Sequence, residues 1–254
     1  MAIPGRQALL AAALVASASA ARGQATVEPP KAARASAVER ADDLASKATV
    51  SAYFVPGDQE LDLNLRRRFR ELVAWGGLFL DRHGSGQGRV GAECDFQHGP
   101  FLAIPTLNVG SNGLVAGSAY VEVGTRFYAI GGYAITNLKA FYNLSFDPND
   151  SVELGAGWHA SSYDHLAAFT IFDVRLHTGQ QDTHVVWRHK LDAREGLTLD
   201  ALYKSGHEDS GRYVTGFGFA VYYDRPRIFL KAAFDPHVNF TADDMVRVGV
   251  GLKF

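Results

Sequence analysis

At 254 residues with a formal net charge of -2, the chain is long enough for one barrel or about two ordinary domains, and it lacks the basic excess of a nucleic-acid binder. Its one cysteine, Cys94, excludes an intrachain disulfide and any metal site built on several thiolates. No apolar run reaches the roughly 18–20 residues of a membrane-spanning helix, whereas 26 glycines and an aromatic share of 11% fit a turn-rich, all-β chain.

Residues 1–6 carry one positive charge, residues 8–15 are apolar, and Ala18-Ser19-Ala20 has the small-x-small form of a cleavage site. Gly23-Gln24-Ala25 offers a second cleavage point. Residues 1–25 therefore read as a signal peptide removed on export. The apolar run is too short for a permanent anchor, and no cysteine follows it to carry a lipid. Residues 26–48 open on Pro29-Pro30 and are dominated by Ala, Arg, Glu and Asp. They read as an extension, disordered or with a short polar helix over 32–47; a plug lying inside a barrel is the alternative.

From residue 49 to 254 the pattern has a period of two, and successive strand residues face opposite ways. Val90, Ala92, Cys94 and Phe96 oppose Arg89, Glu93, Asp95 and Gln97. Val152, Leu154, Ala156 and Trp158 oppose Glu153, Gly155, Gly157 and His159. The same split recurs over 197–204, 212–224 and 227–235. Turn signals such as His83-Gly84-Ser85-Gly86, Gly110-Ser111-Asn112-Gly113 and Asp224-Arg225-Pro226 separate the segments. Counting from Leu61 gives about fourteen segments of about ten residues, the length a tilted strand needs to cross a bilayer core. About twelve is the alternative count. An even number would bring both ends of the barrel to one side. Two places depart from the pattern: 166–174 is apolar on both faces, and Arg67 stands in the apolar register.

The last segment, MVRVGVGLKF, places Val246, Val248, Val250, Leu252 and Phe254 on one face and Arg247, Gly249, Gly251 and Lys253 on the other. It resembles the C-terminal targeting strand of bacterial outer-membrane barrels. The resemblance implies an all-β, antiparallel transmembrane β-barrel of about 12–14 strands in a Gram-negative outer membrane, with residues 26–48 as a short periplasmic segment. It also implies that the five apolar residues form an assembly signal read by the barrel-assembly machinery, and that outer-membrane lipid and lipopolysaccharide surround the barrel. A soluble secreted β-protein alternates too. The nearly charge-free apolar register and the aromatics near segment ends (Phe146, Tyr213, Tyr223, Phe234 and Phe254) favour the membrane barrel.

In such a barrel the charged register lines the lumen. Arg66, Arg68, Arg89, Lys139, Arg188, Arg212, Arg227 and Lys231 are its basic candidates, and Glu93, Glu153 and Asp200 stand among the acidic ones. The basic bias predicts a narrow channel with a weak preference for anions, or a structural envelope component if the charges pair across the lumen and close it. One pair invites an enzymatic reading. His159 and Ser161 lie two apart on one face, as a base and a nucleophile must. Outer-membrane phospholipase A and the lipid A 3-O-deacylases use a His-x-Ser pair followed by Asn. Here Ser162 replaces that Asn, and the pair faces away from the lipid side, so a strand end entering a polar turn is the simpler account. His184 and His189 read as surface or rim groups, no histidine spacing has metal-ligand form, and no cofactor is expected.

Overall fold

The computed structural model describes residues 45–254 except 140, 142–148, 176 and 209. The signal peptide, nearly all of the 26–48 segment and Phe146 lie outside the described residues. The strands are β1 (Ser46–Val55), β2 (Asp58–Phe69), β3 (Leu72–Asp81), β4 (Gly86–Cys94), β5 (Phe96–His98), β6 (Phe101–Gly110), β7 (Val115–Gly124), β8 (Phe127–Thr136), β9 (Ser151–His159), β10 (Asp164–Asp173), β11 (Gln181–Lys190), β12 (Gly196–His207), β13 (Tyr213–Asp224), β14 (Ile228–Asp235) and β15 (Met245–Lys253).

Each strand pairs antiparallel with its sequence neighbour, and β1 pairs with β15 through Val50↔Val250 and Ala52↔Val248, so the sheet closes on itself. β5 continues β4 in one register across Asp95: Glu93 pairs with Thr106 and Phe96 with Ala103, both on β6. The fifteen segments thus make a closed barrel of fourteen staves. Closure leaves no unpaired edge, which is the condition for a sheet to lie in hydrocarbon. The barrel begins three residues before position 49, at Ser46. Its first stave also lies upstream of Leu61, where the count from sequence began. On β1, Tyr53 faces inward in the register of Lys47, Thr49 and Ser51.

The two registers separate completely on β15. Val246, Val248 and Val250 are 46%, 42% and 45% exposed, while Arg247 between them is 2% exposed. Outward residues on the other staves include Leu65, Leu78, Val90, Leu107, Leu154, Val185, Phe217 and Leu230. An apolar surface running round the whole barrel is stable only against lipid.

The two rims differ. On the rim carrying Ser46 and Phe254 the connections are short: 70–71, 99–100, 125–126, 160–163, 191–195 and 225–227. The opposite rim carries 56–57, 82–85, 111–114 and 208–212, and also the longer 137–150, 174–180 and 236–244. Described residues of two of these connections are buried at the barrel mouth. Phe141 is buried beneath Arg89, with the guanidinium 5.0 Å from the ring centre. Val238 and Phe240 are buried in a turn where His237, Asn239 and Phe240 all take left-handed backbone angles.

Candidate functional site: the barrel interior

The inward register is crowded with charge, and the charges are paired. Arg66 meets Glu93 at 3.1 Å, and Arg89 donates to Asp62. Lys204 Nζ donates to Asp235 Oδ1 at 2.7 Å, and His184 Nδ1 lies 3.0 Å from Asp200. Nearer the short-turn rim, Arg68 meets Asp95 at 2.8 Å. Each of these pairs joins staves one or two apart, so the ion pairs run along the wall rather than across the lumen.

Aromatic rings and a lysine stem hug the wall in the same way. The Trp75 ring lies over Gly91, the Tyr128 ring over Gly157, the Phe229 ring over Gly251 and the Lys231 stem over Gly249. In all four cases the large residue and the glycine are direct cross-strand partners. A Cβ on any of these glycines would occupy space the neighbouring side chain already fills. The glycines therefore let long inward side chains lie flat, a known device of strongly curved sheets.

Part of the interior is apolar. Leu102, Ile104, Tyr120, Tyr128, Ile130, Ala167, Phe169, Ile171 and Val186 form one buried cluster on β6, β7, β8, β10 and β11. A second joins Tyr53, Leu202, Ala220, Ala233, Val238 and Met245 on the facing wall. The first accounts for the two-faced segment 166–174: Leu166 and Ala168 face outward while Ala167, Phe169 and Ile171 line this cluster. Arg67 is outward too, exposed between Leu65 and Phe69.

Among the candidate lumen residues, Arg89, Glu93 and Asp200 are buried inside the barrel. Arg66, Arg68, Glu153, Arg188 and Lys231 are half-buried on strands. The structure moves Lys139, Arg212 and Arg227 off the strands altogether. They are exposed in connections, Arg212 paired with Glu208, because β8 ends at Thr136, β13 begins at Tyr213 and β14 begins at Ile228. Glu208, in that loop, has its carboxyl held below the usual carboxylate range by the hydrogen bond from Arg212.

His184 is not a surface or rim group. It is fully buried, stacked on Phe169 at 4.9 Å and bonded to Asp200. Its even offset from Asp182, Val186 and Arg188 was the available signal. His189 lies at the rim, 2.9 Å from Asp164. Arg247, buried 5.9 Å from the Tyr53 ring, belongs to the same interior.

The His159 and Ser161 positions come out differently from a catalytic pair. Ser161 Oγ donates to Asp164 Oδ2 at 3.0 Å and accepts from the backbone N–H groups of Tyr163 and Asp164, closing the turn between β9 and β10. The His159 ring stacks on His165, its cross-strand partner, at 4.4 Å, and Tyr128 closes the group against the His165 ring. Among the described residues no hydrogen bond joins Ser161 to His159, and no group of three or more His, Cys, Asp or Glu side chains is placed to hold a metal ion.

No protein-family model and no curated protein sequence matches the chain. Among solved structures, the outer membrane protein Omp33 of Acinetobacter baumannii superposes with a TM-score of 0.53 at 12% identity, over 83% of this chain and 98% of that one. The KdgM porin has a TM-score of 0.45 at 11% identity, covering 82% of this chain and 99% of its own. The NanC porin has the same TM-score at 12% identity, covering 82% and 100%. The chain is a closed, fourteen-stave antiparallel β-barrel with the fold of a bacterial outer-membrane barrel.

Proposed function

We propose that the protein spans the outer membrane of a Gram-negative cell and works as a narrow channel for small solutes, with a modest preference for anions. The observation that carries this reading is the disposition of the inner wall. Charged side chains fill the interior of a barrel whose outside is apolar, and their ion pairs and stems lie along the wall. Charge is kept inside a barrel at a desolvation cost unless pairing or water offsets it. The two apolar clusters narrow the path.

The anion preference rests on one stretch of wall. On β2, β4, β14 and β15 the inward basic groups Arg66, Arg68, Arg89, Lys231, Arg247 and Lys253 slightly outnumber the acidic Asp58, Glu60, Asp62, Glu93 and Asp235. Glu122, Glu153, Asp182 and Asp200 on β7, β9, β11 and β12 oppose this excess, which keeps the preference small. In this reading residues 1–25 are removed on export. The barrel-assembly machinery reads Val246, Val248, Val250, Leu252 and Phe254, and lipid with lipopolysaccharide surrounds the barrel.

The test is conductance in planar bilayers with the full chain, its insertion checked by the mobility difference between unheated and boiled samples. Wild-type protein passes small ions, and its reversal potential in a salt gradient favours the anion. Arg89→Ala lowers the anion-to-cation permeability ratio. Repeated insertion of heat-modifiable protein without any conductance refutes the channel.

A further inference from the structure

The two rims differ in free charge as well as in loop length. Five exposed arginines stand at the rim of Ser46 and Phe254: Arg67 near the end of β2, Arg70 in 70–71, Arg126 in 125–126, Arg194 in 191–195 and Arg227 in 225–227. Among the described residues none of the five has a carboxylate within 4.0 Å. At the opposite rim the arginines are tied down: Arg82 to Asp58 at 3.2 Å, Arg175 to Asp150 at 3.1 Å, and Arg212 to Glu208.

The free arginines belong to four separate hairpin ends spread round the barrel. Exposed aromatics stand near the same rim: Phe69, Phe101, Phe127, Trp158 and Phe254. The Arg67 guanidinium lies 5.4 Å from the Phe69 ring centre, on the membrane side of the wall. A guanidinium there is costly unless it reaches the headgroup layer. What it meets in that layer is a phosphodiester, which matches its planar fork of donors.

We propose that these arginines form a ring that binds the phosphates of anionic glycerophospholipids and fixes the depth of the barrel in the leaflet at its short-turn rim. In outer-membrane barrels short turns face the periplasm, so this is the inner leaflet. The proposal rests on the membrane reading above. Arg67 supplies the contact on the wall itself, and the four exposed turn arginines supply the rest of the ring.

The test uses the full chain refolded into phosphatidylcholine vesicles, with spin-labelled phosphatidylglycerol or phosphatidylcholine as the probe. Wild-type protein prefers phosphatidylglycerol by roughly 5-fold or more. The combined variant Arg67→Gln, Arg70→Gln, Arg126→Gln, Arg194→Gln and Arg227→Gln shows no preference. A variant at the opposite rim, Arg82→Gln with Lys139→Gln, keeps the wild-type preference. The proposal is overturned if wild type shows no preference, if the five-site variant retains it, or if the opposite-rim variant loses it. Should the five-site variant not insert, the wild-type preference must fall in about 1 M salt and Arg67→Gln alone must reduce it; persistence of both overturns the proposal. Protein that never inserts and shows no mobility shift on boiling refutes the membrane reading instead.

Discussion

Lys204 and Asp235 show how a charge survives inside the barrel. Both side chains are fully buried, joined at 2.7 Å, and Lys204 also donates to the His237 carbonyl at 3.3 Å beneath the Phe240 ring. Taking away one partner leaves the other charged and desolvated. Lys204→Ala is therefore expected to destabilise the barrel by about 3–5 kcal/mol, whereas replacing both partners by Met and Leu costs much less. Urea unfolding in detergent micelles, followed by tryptophan fluorescence, measures both. A full penalty for the double replacement would mean that the pair does more than neutralise itself. The single serine at 161 illustrates the opposite limit. Its hydroxyl is spent on a turn, so Ser161→Ala should loosen the β9–β10 connection and leave conduction unchanged.

At the scale of the element, the alternation of each strand does two jobs. The outward positions hold the barrel in lipid. Val248 lies mid-strand between Ala52 and Ala232, and Val248→Arg is expected to cost about 2–4 kcal/mol and to reduce the heat-modifiable fraction. The inward positions pair long side chains with glycines across the strand. Gly157→Val drives its new methyls into the Tyr128 ring, which must turn into the lumen. Overpacking of this kind costs about 1–3 kcal/mol. The same variant should lower single-channel conductance if it folds. Conductance equal to wild type, with unchanged stability, would show that the ring has room elsewhere.

For the whole molecule the decisive event is closure. β1 joins β15, so the first and last strands of the barrel complete each other's hydrogen bonds across the longest sequence separation in the sheet. Deleting residues 245–254 exposes the edges of β1 and β14 to lipid, where unpaired backbone groups find no water. Loss of folding should then be complete, with no mobility difference between unheated and boiled samples. A partial barrel that still inserts would contradict this account. The asymmetry of the rims is also a property of the whole: no single strand encodes it, and it appears only when alternate hairpin ends gather on one side.

Much of this was legible in the residues because a strand in a membrane barrel has only two environments, and a period of two sorts side chains between them. Val246, Val248 and Val250 against Arg247 could be assigned to opposite faces without coordinates, as could Val90 against Arg89. The number of staves, about fourteen, was legible from the alternation and the turn signals, although all of them were placed from Leu61 onward and β1 lies upstream of it. Tertiary structure decided what the period cannot carry. It set which charges meet, since Arg89 reaches Asp62 two staves away. It buried His184 against Phe169, and it placed an apolar cluster inside a lumen expected to be polar. It also moved Lys139, Arg212 and Arg227 out of the wall, because strand ends depend on hairpin geometry rather than on alternation. A face is a local property of the chain; a partner depends on register between strands, and register is settled only when the sheet has closed.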